Sequence, residues 1–475
     1  MSAIRTAFVS RSRDTGRIHD VDVTSMYGQI WQSSELMDDI DAICSHGGRF
    51  AGSESELRSR EWVRNRLRVA TGQVVQSHAF RFRGWERGMS RVTLLSSTDH
   101  VELASTSLVL SPATPPGGIE TDVVDLGHGN VEDFAAVGTR LHGRAALVRH
   151  SFPFSTHHVH RRMKYRWARD AGASAFLIAN CRPAGGVVTG SSGRGEDIDI
   201  PAAGITYEAG ERIARSAGGE TLPRIRLEID SGQREWLAEN LYVELPGQTD
   251  EWVILCAHLD GHDLAESAMD NGSGVAAVLE VARRLGPYVA DMRRGLRIMF
   301  FTVEEWGLWG SEVYLNSLSE EQRRAIRLVI NLDTVVGHPQ LFALTSERQD
   351  VERFVREAVG AGGVPVAPIR PVLGNSDHYN FFRAGIPSLR LIAGYDDPSA
   401  LSSLILTPGD TRDKIDPGQL RMATITALSL TASACQSGEL PEHFEPSPDL
   451  SRTDGWGTPP APVEPSAVSG DVTGT

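Results

Sequence analysis

The chain has 475 residues, 40% of them hydrophobic and 23% charged, with a formal net charge of −14. That length argues for more than one domain. The acidic balance excludes the basic footprint of a nucleic-acid binder, and no apolar run approaches the roughly 20 residues that cross a bilayer. The opening residues, MSAIRTAFVSRSRDTGRIHD, lack the apolar core of a secretory signal. Cys44, Cys181, Cys256 and Cys435 fall without paired spacing, Cys256 inside an apolar strand as a small hydrophobe. A cytoplasmic location is therefore expected, with neither nucleic acid nor membrane as a partner.

Residues 1–26 are polar and without periodicity, which reads as a flexible arm. Residues 27–104 form the first segment of a main domain. There a GGRFAG loop (47–52) precedes Ser53 and Glu56, which fit a capping box ahead of a helix carrying Trp62, Val63, Leu67 and Ala70. Val74–Phe82 and Arg91–Ser96 alternate as two strands. Residues 105–232 read as a separate, smaller, β-rich module: a strand at Ala145–Arg149, a helix with Tyr165, Trp167 and Ala168, a strand in AGASAFLIAN, a glycine-rich loop at 185–195, and a strand in IPAAGIT. His157, His158 and His160 crowd the start of its helix. With no carboxylate or cysteine nearby, a polar helix start is a plainer reading of them than a metal site. Residues 233–436 return to the main domain. Residues 437–475, rich in Pro, Ser, Gly and acids, read as a disordered tail.

The chemistry gathers in the second main-domain segment. Val253–Ala257 and Leu296–Thr302 have the length and composition of buried parallel strands. His258 and Asp260 follow the first, and Glu304 and Glu305 the second. Asn271-Gly272-Ser273-Gly274 leads from Asp270 into a helix at Val275–Leu285, and the strand Leu328–Leu332 ends at Asp333. Ligands in such sheets bind at the carboxyl ends of the strands. Imidazole nitrogen and carboxylate oxygen together suit zinc and similar ions. Adjacent Glu304 and Glu305 leave the backbone in different directions, so one can grip a metal while the other takes a proton from water. Asp260 is suited to orient His258. A Glu-Glu pair is commonly solvated surface and a lone histidine commonly core. Here apolar strands precede both, and W-G-x-W-G follows the glutamates, which favours a site. His262 and Asp263 read as loop or wall residues, Asp377 and Asp410 as loop braces, and Trp306 and Trp309 as pocket lining or core.

Five segments, AHLDGHDLAESAMDNGSG, FFTVEEWGLWGSEVYL, VINLDTVVG, NSDHYNFFRAGIP and TPGDTRDKID, stand in the order found in the co-catalytic zinc exopeptidases, which include leucyl-type aminopeptidases and carboxypeptidase Q. The chain resembles that family over about residues 35–435, and the module at 105–232 resembles the protease-associated domain inserted in some of its members. The resemblance implies an α/β fold with a mixed, mainly parallel central sheet flanked by helices, and an inserted domain leaning over the pocket. It implies one or two zinc ions and hydrolysis of amide bonds in short peptides or amino-acid conjugates. It assigns His258 and Asp333 to one zinc, Asp270 to a bridge, Glu305 to the second zinc and Glu304 to the general base, with Asp260 orienting His258 and a non-trans peptide at Asp270–Asn271. The chain departs from the pattern at Leu406, where the family has its last histidine ligand. His378 as a replacement ligand, a single tightly held ion, or an inactive relative are the open consequences. A single-zinc acyl-transfer enzyme of the glutaminyl cyclase type and a non-catalytic peptide-binding protein are the alternatives.

Overall fold

The computed structural model describes residues 21–446, apart from 97–98, 156–157, 195–197, 218–220 and 361. The expected arm up to residue 20, the tail from 447 and His157 lie outside the described residues. One continuous fourteen-stranded sheet runs through both domains. In the main domain the strand Trp252–His258 lies between Gly295–Phe301 and Ile326–Leu332, parallel to both, and Ile326–Leu332 pairs in parallel with Ser388–Ala393. Antiparallel Leu341–Leu344 and the short Ala367–Ile369 extend that edge.

These strands are apolar throughout because both faces are covered. Val253, Leu255 and Ala257 join Leu296, Ile298 and Phe300 in a core beneath helices Glu35–Cys44, Ser273–Leu285 and Pro417–Gln436. Ile254, Cys256, Met299 and Phe301 face the opposite side, against Tyr314, Leu315 and Phe381. The alternation is the period-2 signature of a strand written entirely in hydrophobic letters.

Two long strands connect the domains. Gln76–Leu95 pairs antiparallel with Arg224–Leu245 over nearly its whole length, with a bulge between Arg87 and Ser90. The far end of Arg224–Leu245 joins the main sheet at Gly295–Phe301, and its near end joins the inserted sheet at Ile119–Asp125. The inserted domain continues through parallel Ala145–Arg149, Ala175–Ala179 and Ala202–Ile205. The two strands expected at 74–96 are therefore one. A domain border at 232 falls inside a shared strand, because Gly84, Arg87 and Gly88 interrupt the alternation without ending the pairing. The ends of the main domain also differ from expectation. Residues 24–26 belong to helix Thr24–Gln32, with Met26 and Ile30 buried one helical turn apart. Residues 437–446 pack on the domain: Phe444 lies against Phe382 and under the Arg348 guanidinium, and its N–H donates to the Gly385 carbonyl. The capping box is half present. Ser53 accepts from the Glu56 N–H, but Glu56 is itself buried, its carboxyl pushed up to about 7 by that burial.

The W-G-x-W-G segment turns the chain from the end of strand Gly295–Phe301 into helix Trp309–Ser317. A Cβ on Gly310 would fall 2.2 Å from the Thr302 carbonyl and 2.5 Å from the Asn240 side-chain oxygen. Gly310→Ala is expected to cost about 1–3 kcal/mol by overpacking, read as a lowered urea midpoint.

Candidate active site

His258 ends strand Trp252–His258 and is fully buried. Its Nδ1–H donates to the Asp260 carbonyl at 3.0 Å, which leaves the Nε2 lone pair facing Asp270 Oδ1 at 3.1 Å and Asp333 Oδ1 at 3.6 Å. One ligand atom each from His258, Asp270 and Asp333 lies within 4.8 Å of the others. A nitrogen lone pair aimed at two carboxylates is unfavourable unless a cation, proton or metal, lies among them. Burial opposes charging the imidazole, yet Glu304, Asp270 and Asp333 together hold its pKa well above the ordinary histidine value. The donor set and the demand for positive charge fit a divalent ion.

Backbone hydrogen bonds fix each ligand. Asp410 accepts from the Met269 and Asp270 N–H groups at 2.7 and 3.2 Å, holding the turn in which Asp270–Asn271 is cis. Asn271 ties that turn to the neighbouring strand end: its Nδ2 donates to the Leu332 carbonyl at 2.8 Å, and its Oδ1 accepts from Gly274 N–H at 3.0 Å. Arg49, buried in the GGRFAG loop, donates to the carbonyls of Leu259, Glu266 and Ser267 at 2.7–2.8 Å. Asp333 is held by the Arg390 guanidinium at 3.1 Å and by the Ser376 hydroxyl. Despite burial, Arg390, His258 and Ser376 keep its carboxyl well below the usual range.

Asp260 differs from expectation. Its carboxylate is 3.8 Å from His258 Nδ1 and orients the ring by its backbone carbonyl instead. The carboxylate accepts from the N–H groups of Glu304 and Glu305 at 3.1 and 3.2 Å, so one residue registers two strand ends. Both glutamates are buried and face a cavity of about 50 Å³ with Asp270 and Asp333. Glu305 stands outside the tight group of three, and its Oε1 is buried without a partner among the described residues. Burial first, then like charges nearby, raises both carboxyls well above the ordinary value: Asp333, Asp377 and Glu305 act on Glu304, and Asp270 and Asp260 act on Glu305.

His378 is not brought to the ligands. It begins helix His378–Arg383, is absent from the group of three and from the cavity wall, and its ring nitrogens have no partner among the described residues. Burial, with the Arg390 charge, pushes it down to about 3. Leu406 does line the cavity. Trp306 is core, packed on Phe50 and Phe82, and Trp309 donates to the Trp306 carbonyl. Asp263 pairs with Arg87 at 2.7 Å. His160 caps its own helix, accepting from Arg162 N–H. Arg49, Arg161, Ser376 and Arg390 were not singled out from the sequence. Only Arg390, a lone cation within the apolar SLRLIA, gave a signal.

The inserted domain completes the site. Pro153, Phe154, His160, Arg161 and Ser191 line the same cavity. The Arg390 guanidinium lies 5.1 Å from the Phe154 ring, and Thr189 N–H donates to the Leu406 carbonyl at 2.9 Å. A second cavity of about 410 Å³ shares His160 and Asn375 with the first and runs between the domains, lined by Met163, Trp167, Leu373 and Tyr379 among others.

Fold and ligand geometry together define a site fit for a divalent metal ion at the carboxyl ends of parallel strands. Residues 240–431 match peptidase family M28 and residues 105–213 match the PA domain. The segment that carries His258, Asp270, Glu304, Glu305 and Asp333 lies within the M28 match, and the chain is a metallopeptidase. It is 28% identical over 411 residues to the probable lipoprotein aminopeptidase LpqL of Mycobacterium tuberculosis, covering 81% of this chain and 77% of that protein. It is 26% identical over 394 residues to carboxypeptidase Q of Bos taurus, covering 79% and 80%. A peptidase M28 precursor from Shewanella amazonensis shares the fold with a TM-score of 0.74 at 24% identity, over 90% of this chain and 99% of that one.

Asp410→Ala removes both acceptors that hold the Asp270 turn. Zinc affinity, measured by chelator competition, is expected to fall about 10–100-fold with the circular dichroism spectrum unchanged.

Proposed function

We propose that this chain is a zinc-dependent exopeptidase that cleaves a terminal amide bond in short peptides or amino-acid conjugates. The observation that carries this reading is the convergence of His258 Nε2 with Asp270 and Asp333 beside two buried glutamates, one with an unpartnered oxygen. In this reading His258, Asp270 and Asp333 would hold the ion, and Glu305, which lines the same cavity, would be available to it as a further ligand. A bound zinc ion supplies Lewis acidity, lowering the pKa of water to about 7 and polarising the substrate carbonyl.

The chain's own residues do the rest. Glu304 takes the proton of the attacking water and returns it to the leaving amine. Its carboxyl is held above the ordinary value by burial, which brings a carboxylate base closer to the pH at which it must both accept and release a proton. Asp260 fixes the Glu304 backbone, so the base does not have to be ordered during the reaction. Arg390 keeps Asp333 ionised and available as a ligand. The names of the aminopeptidase and carboxypeptidase relatives support a terminal amide bond, and the interdomain cavity is of a size to hold the remainder of a short substrate.

Glu304→Gln is expected to lower kcat/KM on aminoacyl anilides, dipeptides or N-acyl amino acids by about 10²–10⁴-fold while zinc content stays at the wild-type value. His258→Ala is expected to lose both zinc and activity. Wild-type turnover in Glu304→Gln, or no turnover of any of these substrates by zinc-loaded wild type, would overturn the reading, the second in favour of peptide binding without catalysis.

A further inference from the structure

Arg161 opens helix Arg161–Asp170 of the inserted domain, yet it lines the catalytic cavity together with Asp270, Glu304 and Glu305. The side chain is buried. Its Nε donates to the Ser191 carbonyl at 2.7 Å, and the described residues offer its two terminal nitrogens no further hydrogen bond. Gly190, at φ +108°, makes the slot: a Cβ there would lie 2.2 Å from the guanidinium carbon. The acids that act on Arg161 most strongly are Glu305, Glu304 and Asp270, in that order. Among the described residues no carboxylate pairs with it directly, and it lines the cavity to which both domains contribute.

The same side of the pocket is poorly equipped for a metal of its own. The described residues form one group able to hold an ion, His258 with Asp270 and Asp333. Beyond Asp270 the wall is Ile405 and Leu406, and neither can coordinate. Leu406 is held in a left-handed conformation at φ +59°, its carbonyl taken by Thr189. Glu305 lines the cavity beside Asp270, and His160, which also lines it, forms no group with them able to hold an ion among the described residues. Two carboxylates alone fall short of the three protein ligands typical of catalytic zinc. The negative charge of Asp270 and Glu305 still requires compensation, and an arginine, protonated at any working pH, is a fixed cation that no chelator removes.

We propose that the chain holds a single catalytic metal ion, at His258, Asp270 and Asp333, and that Arg161 of the inserted domain supplies the positive charge that a second ion would bring beside Glu305. This rests on the metallopeptidase reading. It makes the inserted domain a contributor of charge to the site, so the site is electrostatically complete only when that domain is docked.

Zinc per chain, measured by plasma mass spectrometry on full-length protein stripped with chelator, reloaded with excess zinc and desalted, tests this. One equivalent is expected in wild type and in Leu406→His, and two in Leu406→His/Arg161→Gln, where a nitrogen ligand is restored and the guanidinium removed. Two equivalents in wild type, or in Leu406→His with Arg161 intact, overturn the proposal and leave the metallopeptidase reading standing. One equivalent in a folded double variant also overturns it. No bound zinc in wild type removes the metallopeptidase reading and this proposal together. Wild type alone decides between one ion and two, so a variant that fails to fold does not protect the proposal.

Discussion

The constraint on which the site depends is the burial of excess negative charge. Asp260, Asp270, Glu304, Glu305, Asp333, Asp377 and Asp410 are all buried around the ends of three parallel strands. Placing like charges together away from water is costly unless cations or protons offset them. Arg390 answers Asp333 directly, His258 sits between Asp270 and Asp333, and burial raises the carboxyls of Glu304 and Glu305 above the ordinary value. A divalent ion among the ligands satisfies the same demand with one particle. The affinity for metal is thus a consequence of the fold's own electrostatics, and an acid cluster of this kind would be a liability in a protein that bound none.

Hydrogen bonds to backbone groups fix the loops that carry the ligands. Asp260 and Asp410 each accept two N–H groups, and through them the loops after separate strands are locked to the positions of the ligands. Arg49 holds the carbonyl side of the same loop from a segment about 210 residues earlier. Asp260 and Asp410 each set the backbone position of a residue that lines the site. The inserted domain extends the same logic across the cleft. It is continuous with the main domain through the strand Arg224–Leu245 and returns to it through Thr189, Phe154 and Arg161, so the pocket has walls from both.

The sheet and the tight ligand group were legible in the sequence because each leaves a local mark. Val253–Ala257 and Leu296–Thr302 are short apolar runs that end in acids or imidazole, and parallel strands bring such ends together whatever their separation. What was not legible depends on partners that no local pattern names. The long ribbon of Gln76–Leu95 and Arg224–Leu245 has faces only partly covered, so its alternation is weak and a shared strand looked like a domain border. Residues 437–446 are poor in apolar groups, but Phe444 packs against Phe382 and Leu440 against the main core. Asp260 lies two residues beyond His258, and sequence spacing cannot say whether its carbonyl or its carboxylate meets the ring. His378 stands in a polar motif, and only the helix that begins there carries it into the core. Arg161 lay in a basic run at a helix start, where a solvated face is the ordinary outcome.

The central claim is that His258, Asp270 and Asp333 share one bound ion. Anomalous diffraction at the zinc absorption edge from crystals grown with zinc tests it most directly. The account predicts a peak about 2.0–2.2 Å from His258 Nε2 and from a carboxylate oxygen of each aspartate. A map without density among these three side chains, with His258 still turned toward the two acids, would contradict it.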